Sequence, residues 1–319
     1  YTLKIIPIRF GDNFHLHHYP TLAAEIARIQ PDVVHMDEEP YNLATWQGLR
    51  LARRYGATGT FFTWQNINRA YPPPFRWFER QSYALAPIAL AGSTEAGDVL
   101  GSKGYGGQIA VIPQFGVDTT LFAPRVAPRP TTPFVLGYAG GLLPEKGVDL
   151  LLAAAAGLEG DWQLRIAGEG ATRADLEAQT NALGIIDQVR FLGRIDSSEM
   201  ASFLRDLDVL VLPSRTTPAW KEQFGRVLIE AMACGVPVVG SDSGEIPTVI
   251  GDAGLIFDED DASALSAQLQ KLLDSPTLRQ GLGKRGRQRA CNKYAMSRIA
   301  AATVKVYETL CTSASTHNS

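Results

Sequence analysis

Short apolar runs alternate with longer amphipathic segments along almost the whole chain, and this alternation is typical of βαβ units with parallel sheets. The pattern is most regular in the second half, where six runs predict strands at 134–139, 163–167, 189–192, 209–212, 237–240 and 254–257. Helices are predicted between them at 148–156, 173–183, 197–206 and 225–234, and after them at 262–273, 276–294 and 296–310. We therefore predict an α/β fold with a complete doubly wound sheet in the second half.

The first half predicts a second, shorter Rossmann-type sheet. Its candidate strands are 3–8, 33–36, 59–62, 88–91 and 110–112, with helices at 43–55 and 75–85. The proline-dense stretch 124–133 cannot join a sheet interior, so we predict that it links two domains. A length of 319 residues fits about two domains. We place them at 1–129 and 130–295, followed by a helix at 296–311 and a Ser/Thr-rich disordered tail at 312–319.

Composition and charge exclude several classes of protein. A net charge of -3 lacks the basic excess of a nucleic-acid binder, so no nucleic-acid partner is expected. Cys234, Cys291 and Cys311 are too few and too scattered for a disulfide framework or a zinc site, which fits a reducing cytoplasm. No apolar run approaches the ~18 residues of a membrane span, and we expect neither a span nor a signal peptide.

The most informative stretch is 220–239, where Glu222 and Glu230 stand on either side of the start of a predicted helix. Phe224 and Gly225 offer backbone N–H groups at that helix N-terminus, which favours a phosphate through its unpaired donors and dipole. A carboxylate further into the helix suits ribose hydroxyls. Because its neighbours are apolar, Glu230 must be either paired or used by a ligand. This spacing fits one nucleoside-diphosphate ligand.

The same stretch resembles the signature of family 4 retaining glycosyltransferases, with Phe-Gly between the two glutamates and Glu-Ala-Met-Ala-Cys-Gly-Val-Pro-Val-Val after them. Segments 31–35, 112–118, 140–147, 167–170 and 192–194 follow in the order that the family uses. The resemblance implies a GT-B fold of two facing Rossmann-like domains, with helix 296–311 crossing back to the first. The nucleotide sugar binds mainly to the C-terminal domain and the acceptor to the N-terminal one. In this alignment we expect the N-terminal domain to be incomplete, without its opening strand, glycine-rich loop and first helix.

The resemblance also assigns roles to individual residues. Glu222 corresponds to the carboxylate that holds donor sugar hydroxyls, Lys146 to the lysine on the diphosphate, and Glu230 to the ribose ligand. The expected nucleotide-sugar site comprises Gly140, Gly141, Lys146, Gly168, Arg194, Ile195, Glu222, Gln223, Phe224, Gly225, Arg226, Val227 and Glu230. Lys146, Glu222 and Asp37 are the expected catalytic residues, Asp37 taking the second position of the family's His-x-His if His35 takes the first.

One departure from the family concerns the diphosphate. Gly141 stands where the family commonly has an arginine, so we consider Arg215 and Arg226 as replacements. The implied reaction moves a hexose from a UDP- or GDP-linked donor to a hydroxyl of a saccharide, lipid-linked or small-molecule acceptor, with retention of configuration. No cofactor and no metal are expected. The alternatives are a nucleotide-sugar-binding or catalytically inactive partner protein, and another GT-B enzyme such as a phosphorylase or an epimerase.

Two further segments bear on where the protein acts. The aromatic stretch 63–77 suits a sugar ring or a membrane surface, although packing around its prolines is the more common reason for such a stretch. A late basic cluster indicates a solvated helix face and is a weak sign of anionic lipid; it comprises Lys284, Arg285, Arg287, Arg289 and Lys293. We therefore expect a cytoplasmic enzyme of polysaccharide or glycolipid biosynthesis, with peripheral association at the inner membrane face as a further expectation.

Overall fold

The computed structural model describes residues 1–126 and 132–315, with the side chains of 313–315 left out. The chain forms two compact units, one of residues 1–114 together with the chain from Ala300 onward, the other of residues 115–299. The division therefore falls before the predicted boundary at 129/130. Residues after 114 join the second unit because the Val117 N–H donates to the Tyr294 carbonyl at 2.8 Å and the Val117 carbonyl accepts from Met296 at 3.1 Å. Residues 127–131 of the predicted linker lie outside the described residues.

The first unit contains a four-stranded parallel sheet in the order β1-β2-β3-β4. Its strands are β1 (Val33–Met36), β2 (Thr58–Thr63), β3 (Ile88–Ala91) and β4 (Gln108–Val111). Its helices are α1 (Leu22–Ile29), α2 (Leu43–Arg54), α3 (Phe75–Leu85) and α4 (Thr94–Ser102). Leu49 of α2 packs with Phe61 and Ala89 of the sheet in a core from which water is excluded. Parallel strands need such helical cover because their apolar side chains point to both faces.

The predicted strand at 3–8 was wrong. Residues 1–8 form no strand or helix, and Leu3 and Ile5 are 81% and 91% exposed. An alternating apolar pattern becomes a strand only where a neighbouring strand supplies hydrogen bonds, and the pairing described nearby is a single antiparallel bridge between Arg9 and His18. Helices α1 and α4 were not predicted, although α4 has a clear start signal, since the Ser93 hydroxyl accepts from the Ala96 N–H.

The second unit contains a six-stranded parallel sheet in the order β10-β9-β8-β5-β6-β7. Its strands are β5 (Phe134–Ala139), β6 (Trp162–Ala167), β7 (Val189–Gly193), β8 (Val209–Leu212), β9 (Val238–Ser241) and β10 (Leu255–Phe257). Its helices are α5 (Val148–Ala156), α6 (Arg173–Ala182), α7 (Ser197–Arg205), α8 (Arg226–Ala233), α9 (Ile246–Ile250), α10 (Ala262–Asp274) and α11 (Pro276–Arg289). The doubly wound sheet predicted for this half is confirmed. The strand order reverses between β5 and β8, and open α/β sheets bind ligands outside the carboxyl ends of the strands at such a point.

The chain closes with a π-helical turn, Ala290–Tyr294, and the long helix α12 (Met296–Ser315). Helix α12 starts in the second unit, and its residues from Ala300 belong to the first. Residues 312–315, predicted as part of a disordered tail, continue α12, while 316–319 lie outside the described residues. Burial of Leu310 anchors the last turns of this helix. In the part of the chain that the structure describes, no helix combines the length and apolarity needed to cross a membrane.

Candidate functional site

The loop that follows β5 is pressed against the loop that follows β8. Gly147 has a left-handed φ of +66°, and a Cβ there would lie 1.9 Å from the Pro213 carbonyl oxygen. Only glycine tolerates both the conformation and the approach. The preceding residues Pro144–Lys146 form a single 3-10 turn that ends at this glycine. The Pro-Glu-Lys-Gly sequence therefore fixes Lys146 at the point where the strand order reverses.

Lys146 and Glu222 form an ion pair at the carboxyl ends of β5 and β8. The Lys146 ammonium lies 2.8 Å from Glu222 Oε2, and the Ser214 hydroxyl donates to the same oxygen at 2.9 Å. Glu222 is only 8% exposed. Both hydrogen bonds described for its side chain reach Oε2, so Oε1 is left to accept from a ligand hydroxyl. The structure thus brings together the two residues that the sequence placed at the reacting centre from distant segments.

Helix α8 begins directly after this pair, with Gly225 as its N-cap residue. Glycine has no side chain that could cap the first turn, so the N–H groups there face outward from the helix end. Phe224 is buried and packs edge-on against Tyr294, with ring centroids 5.7 Å apart. Gln223 is exposed and Val227 half-buried on either side of the helix start. This arrangement gives the helix N-terminus the positive potential that favours a bound anion.

Glu230 lies in the second turn of α8 and is half-buried. Its carboxylate is paired with Arg226 one turn earlier, at 3.1 Å between Nε and Oε1. Burial raises the pKa of Glu230, and the Arg226 guanidinium partly offsets that rise. Of the two possibilities left open by the sequence, the structure shows the paired state. Because the Arg226 side chain is 62% exposed, it can swing away when a ligand approaches.

The remaining predicted donor-site residues lie along the same edge of the sheet. Gly140 and Gly141 follow β5, Gly168 follows β6, and Arg194 and Ile195 follow β7. The loops are in direct contact: the Gly168 N–H donates to the Gly193 carbonyl at 2.8 Å, and a Cβ at Gly168 would lie 1.9 Å from the Gly140 carbonyl oxygen. Arg194 is exposed and Ile195 half-buried. The predicted residues from 140 to 230 therefore follow four adjacent strand ends.

The two arginines considered as replacements for the family arginine differ in their surroundings. Arg215 donates to both carboxylate oxygens of Asp149, at 2.6 and 2.7 Å, and also pairs with Asp260. The Asp149 hydrogen bond is the main reason that the pKa of Arg215 is raised. A guanidinium held by two carboxylates is poorly placed to bind a phosphate. Arg226 is therefore the better candidate of the two.

Asp37, the third residue predicted to be catalytic, lies in the first unit, just after β1. Its carboxylate accepts from the Gln114 amide, at 2.6 Å to the nearer oxygen. His35 Nδ1 lies 2.7 Å from the Tyr307 hydroxyl, and burial lowers the pKa of His35. Asp37 thus belongs to a hydrogen-bonded cluster of the first unit, whereas Lys146 and Glu222 belong to the second unit.

Sequence reasoning assigned no role to two residues beside the Lys146–Glu222 pair. Ser214 and Trp220 complete the surroundings of the Lys146–Glu222 pair, Trp220 lying with its ring centroid 4.3 Å from the ammonium. Ser214 could have been found from the Pro-Ser-Arg segment at the end of β8, in which the sequence analysis considered only the arginine. In the first unit, Glu39 accepts from the Thr63 hydroxyl at 2.7 Å and the Trp64 N–H at 2.8 Å, and burial raises its pKa to about 7.

A doubly wound sheet with an ion pair and a helix start without a side-chain cap at its topological switch point is the arrangement of a Rossmann-like unit. Residues 121–289 match the sequence profile of the family described as "Glycosyl transferases group 1". The chain belongs to this family. The matched segment contains the whole stretch from Lys146 to Glu230.

Comparison with known proteins agrees with this assignment. The chain is 33% identical over 245 residues to an MMP alpha-(1->4)-mannosyltransferase of Mycolicibacterium hassiacum, covering 73% of this chain and 58% of that protein. It is 34% identical over 189 residues to a GDP-mannose-dependent monoacylated alpha-(1-6)-phosphatidylinositol monomannoside mannosyltransferase of Corynebacterium glutamicum, covering 54% and 49%. The structure of sucrose-phosphate synthase from Thermosynechococcus elongatus is similar with a TM-score of 0.74 at 26% identity, covering 91% and 76%. The fold is thus of the α/β GT-B type. The chain spans about half the length of the curated relatives it matches.

Proposed function

We propose that this chain carries the donor site of a retaining glycosyltransferase, which moves a hexose from a nucleoside-diphosphate sugar to a hydroxyl acceptor. One observation carries the proposal: an ammonium and a nearly buried carboxylate, 2.8 Å apart, stand beside the start of α8 at the switch point of the sheet. The ammonium and the helix N-terminus suit a diphosphate, while the carboxylate suits sugar hydroxyls. Both relatives described above are named mannosyltransferases, and one name specifies GDP-mannose, which supports a nucleotide-linked hexose.

In the proposed reaction the acceptor oxygen bonds to the anomeric carbon on the face from which the diphosphate departs. The bond between that carbon and the diphosphate oxygen breaks, and the acceptor proton passes to the departing oxygen. Lys146 and the first turn of α8 stabilise the negative charge that develops on the leaving group. Glu222 Oε1 orients the sugar through a hydroxyl, and Glu230 accepts from the ribose once Arg226 moves aside. We propose that the reaction needs no metal, because cationic and dipolar groups of the chain fill that role.

The acceptor is proposed to be a hydroxyl of a saccharide, lipid-linked or small molecule. The name of the Corynebacterium relative specifies a phosphatidylinositol monomannoside, which supports the lipid-linked class. Asp37 is proposed to orient a hydroxyl on the acceptor side, because a carboxylate that accepts from a neutral amide can exchange that partner for a hydroxyl. We propose that the enzyme works in the cytoplasm at the inner face of the membrane.

Calorimetric titration with UDP and GDP tests the donor site. Removing the charged hydrogen bond in Lys146→Ala should weaken binding of the preferred nucleotide by about 10- to 100-fold, the equivalent of about 1.5–3 kcal/mol. Lys271→Ala removes an exposed lysine of α10 and serves as the matched control, with unchanged affinity. Full affinity in a variant carrying both Lys146→Ala and Glu230→Ala would contradict the proposal. Radiolabelled nucleotide sugars then separate the alternatives: transfer or slow hydrolysis indicates an enzyme, and binding without turnover indicates a binding partner.

A further inference from the structure

A pocket lies at the edge of the six-stranded sheet opposite the proposed donor site. Its lining includes Asp208 and Pro237, which immediately precede β8 and β9. The strands are parallel, so their amino ends form the edge away from the Lys146–Glu222 pair. The pocket has a volume of about 780 Å³, within the range of small-molecule sites. Nothing in the proposed transfer reaction uses this pocket.

The lining of this pocket is strongly basic. It contains five cationic side chains: Arg125, Arg205, Arg279, Lys284 and Arg287. Arg125 is paired with Asp206. In the described parts of the chain, the other four form no ion pair with a carboxylate. Asp208 is the acidic residue of the lining, and its carboxylate accepts from the Val135 N–H at 2.8 Å.

Three of these arginines are held in place by neutral groups. Arg287 donates to the carbonyls of Thr119, Phe122 and Ala233 at 2.7–2.9 Å. Arg279 donates to two carbonyls at the end of α10, and Arg205 to one carbonyl at 3.3 Å. A carbonyl fixes a guanidinium without neutralising it, so the pocket keeps its positive charge and loses little side-chain freedom when an anion binds.

The geometry of α11 concentrates this charge. Residues 279, 283 and 287 recur every four positions and so lie on one face of the helix. Gly283 lets that face approach the turn after α8, because a Cβ there would lie 2.2 Å from the Gly235 carbonyl oxygen. Cys234 lines the pocket beside this turn, and the positive charges of Arg205 and Arg287 oppose the burial that raises its pKa to about 11. The basic cluster identified in the sequence therefore has members with different surroundings. Lys284 and Arg287 line the pocket, whereas Arg285 and Arg289 donate to the carbonyls of Asp252 and Val249, outside the pocket.

We propose that this pocket is a second anion site, distinct from the donor site, which binds the phosphate group of a phosphorylated small molecule or of a lipid headgroup. Arginine and lysine are the side chains that proteins use for phosphate, and four of them here have no carboxylate partner among the described residues. Helix α8 lies between the two sites, since its first turn borders the donor site and Cys234, directly after its last residue, lines this pocket. The proposal does not depend on the transfer reaction.

Charge reversal at two consecutive residues of α11 provides the test. Lys284→Glu changes a pocket residue, and Arg285→Glu makes the same change in net charge beside it, outside the pocket. Both side chains are exposed, so both variants should fold, which thermal unfolding checks. Glycerol 3-phosphate is titrated by calorimetry as the soluble probe. Vesicles of phosphatidylcholine with and without phosphatidic acid are used in co-sedimentation as the lipid probe.

The wild-type protein should bind at least one of the two phosphate probes saturably, and Lys284→Glu should weaken that binding by about tenfold or more. Arg285→Glu should weaken it less than about twofold, because a charge outside the pocket acts only through screened solvent. Arg205→Gln, on the other side of the pocket, should reproduce the loss, while Lys146→Ala should not. Absence of binding to both probes, or equal losses in the Lys284 and Arg285 variants, would overturn the proposal. Loss in Lys146→Ala alone would also overturn it by assigning the phosphate to the donor site.

Discussion

Replacing Glu222 by glutamine should have opposite effects on nucleotide affinity and on sugar transfer. The Lys146 ammonium donates to Glu222 Oε2 at 2.8 Å. A diphosphate that binds the same ammonium must share it with a carboxylate of like charge. Glu222→Gln removes that competing charge but keeps a side chain of the same shape. We therefore expect the variant to bind UDP or GDP more tightly than the wild-type protein.

The magnitude follows from the geometry. A phosphate oxygen about 2.8 Å from the ammonium would lie no more than about 5.6 Å from Glu222 Oε2, on opposite sides of the nitrogen. Two unit charges at that separation repel by about 3 kcal/mol at an effective dielectric constant of about 20. The Lys146 side chain is 21% exposed and that of Glu222 11%, so solvent reduces the effect. We expect a net gain of about 1–2 kcal/mol, or roughly 5- to 30-fold in affinity.

Calorimetry measures the affinity, and single-turnover assays with the nucleotide sugar measure transfer. Transfer should fall in Glu222→Gln because an amide is a weaker hydrogen-bond acceptor than a carboxylate for the sugar hydroxyl. Ser214→Ala is the matched control, since it removes an uncharged donor to the same oxygen without changing the net charge, and its nucleotide affinity should change less than about twofold. If Glu222→Gln bound the nucleoside diphosphate no better than wild type, Lys146 would not be the shared partner and the reasoning would fail.

Two further variants test the surroundings of the clusters. The pKa of Glu39 is raised from 4.5 to about 7 in the folded state, so its stabilising contribution is present at low pH and is lost as the pH rises through about 7. Glu39→Gln should therefore gain stability relative to wild type between about pH 4.5 and 7, by up to about 3 kcal/mol, as measured by denaturant unfolding; a pH-independent difference would contradict this. Gly168→Ala places a Cβ against the Gly140 carbonyl and should cost about 1–3 kcal/mol of stability and weaken nucleotide binding, whereas an unchanged melting temperature would mean that the two loops separate freely.

The sequence predicted the centre of the second unit closely because its central strands are buried on both faces. Strands β5 and β8 have the predicted bounds, and every residue of both is buried, so an uninterrupted apolar run identifies them. The run at 3–8 has similar composition, but no strand among the described residues lies beside it. An apolar pattern shows that a segment can form a strand. The strand forms only where a neighbouring strand provides hydrogen-bonding partners.

Long-range pairing explains what the sequence could not specify at the site. The sequence identifies Lys146 and Glu222 separately, each by its own motif. No local pattern shows that the two side chains are in contact. Their contact depends on the crossing of two loops that are 76 residues apart along the chain, which Gly147 permits by its approach to Pro213. Likewise, the spacing of residues along the sequence does not predict that Arg215 pairs with Asp149. Because of this pairing, Arg215 has a structural role and is poorly placed to bind a phosphate.

The signature stretch itself combines two kinds of position. Glu222 and Glu230 retain polar atoms within reach of a ligand, whereas Leu228, Ile229 and Met232 are wholly buried. Buried positions in α8 set the depth at which the helix lies against the sheet, and that depth fixes the height of its first turn beside Lys146. A substitution that repacks the buried face would therefore shift the helix N-terminus relative to the ammonium without touching either charged group. The apolar half of the motif thus positions the helix start at which we propose that the donor binds.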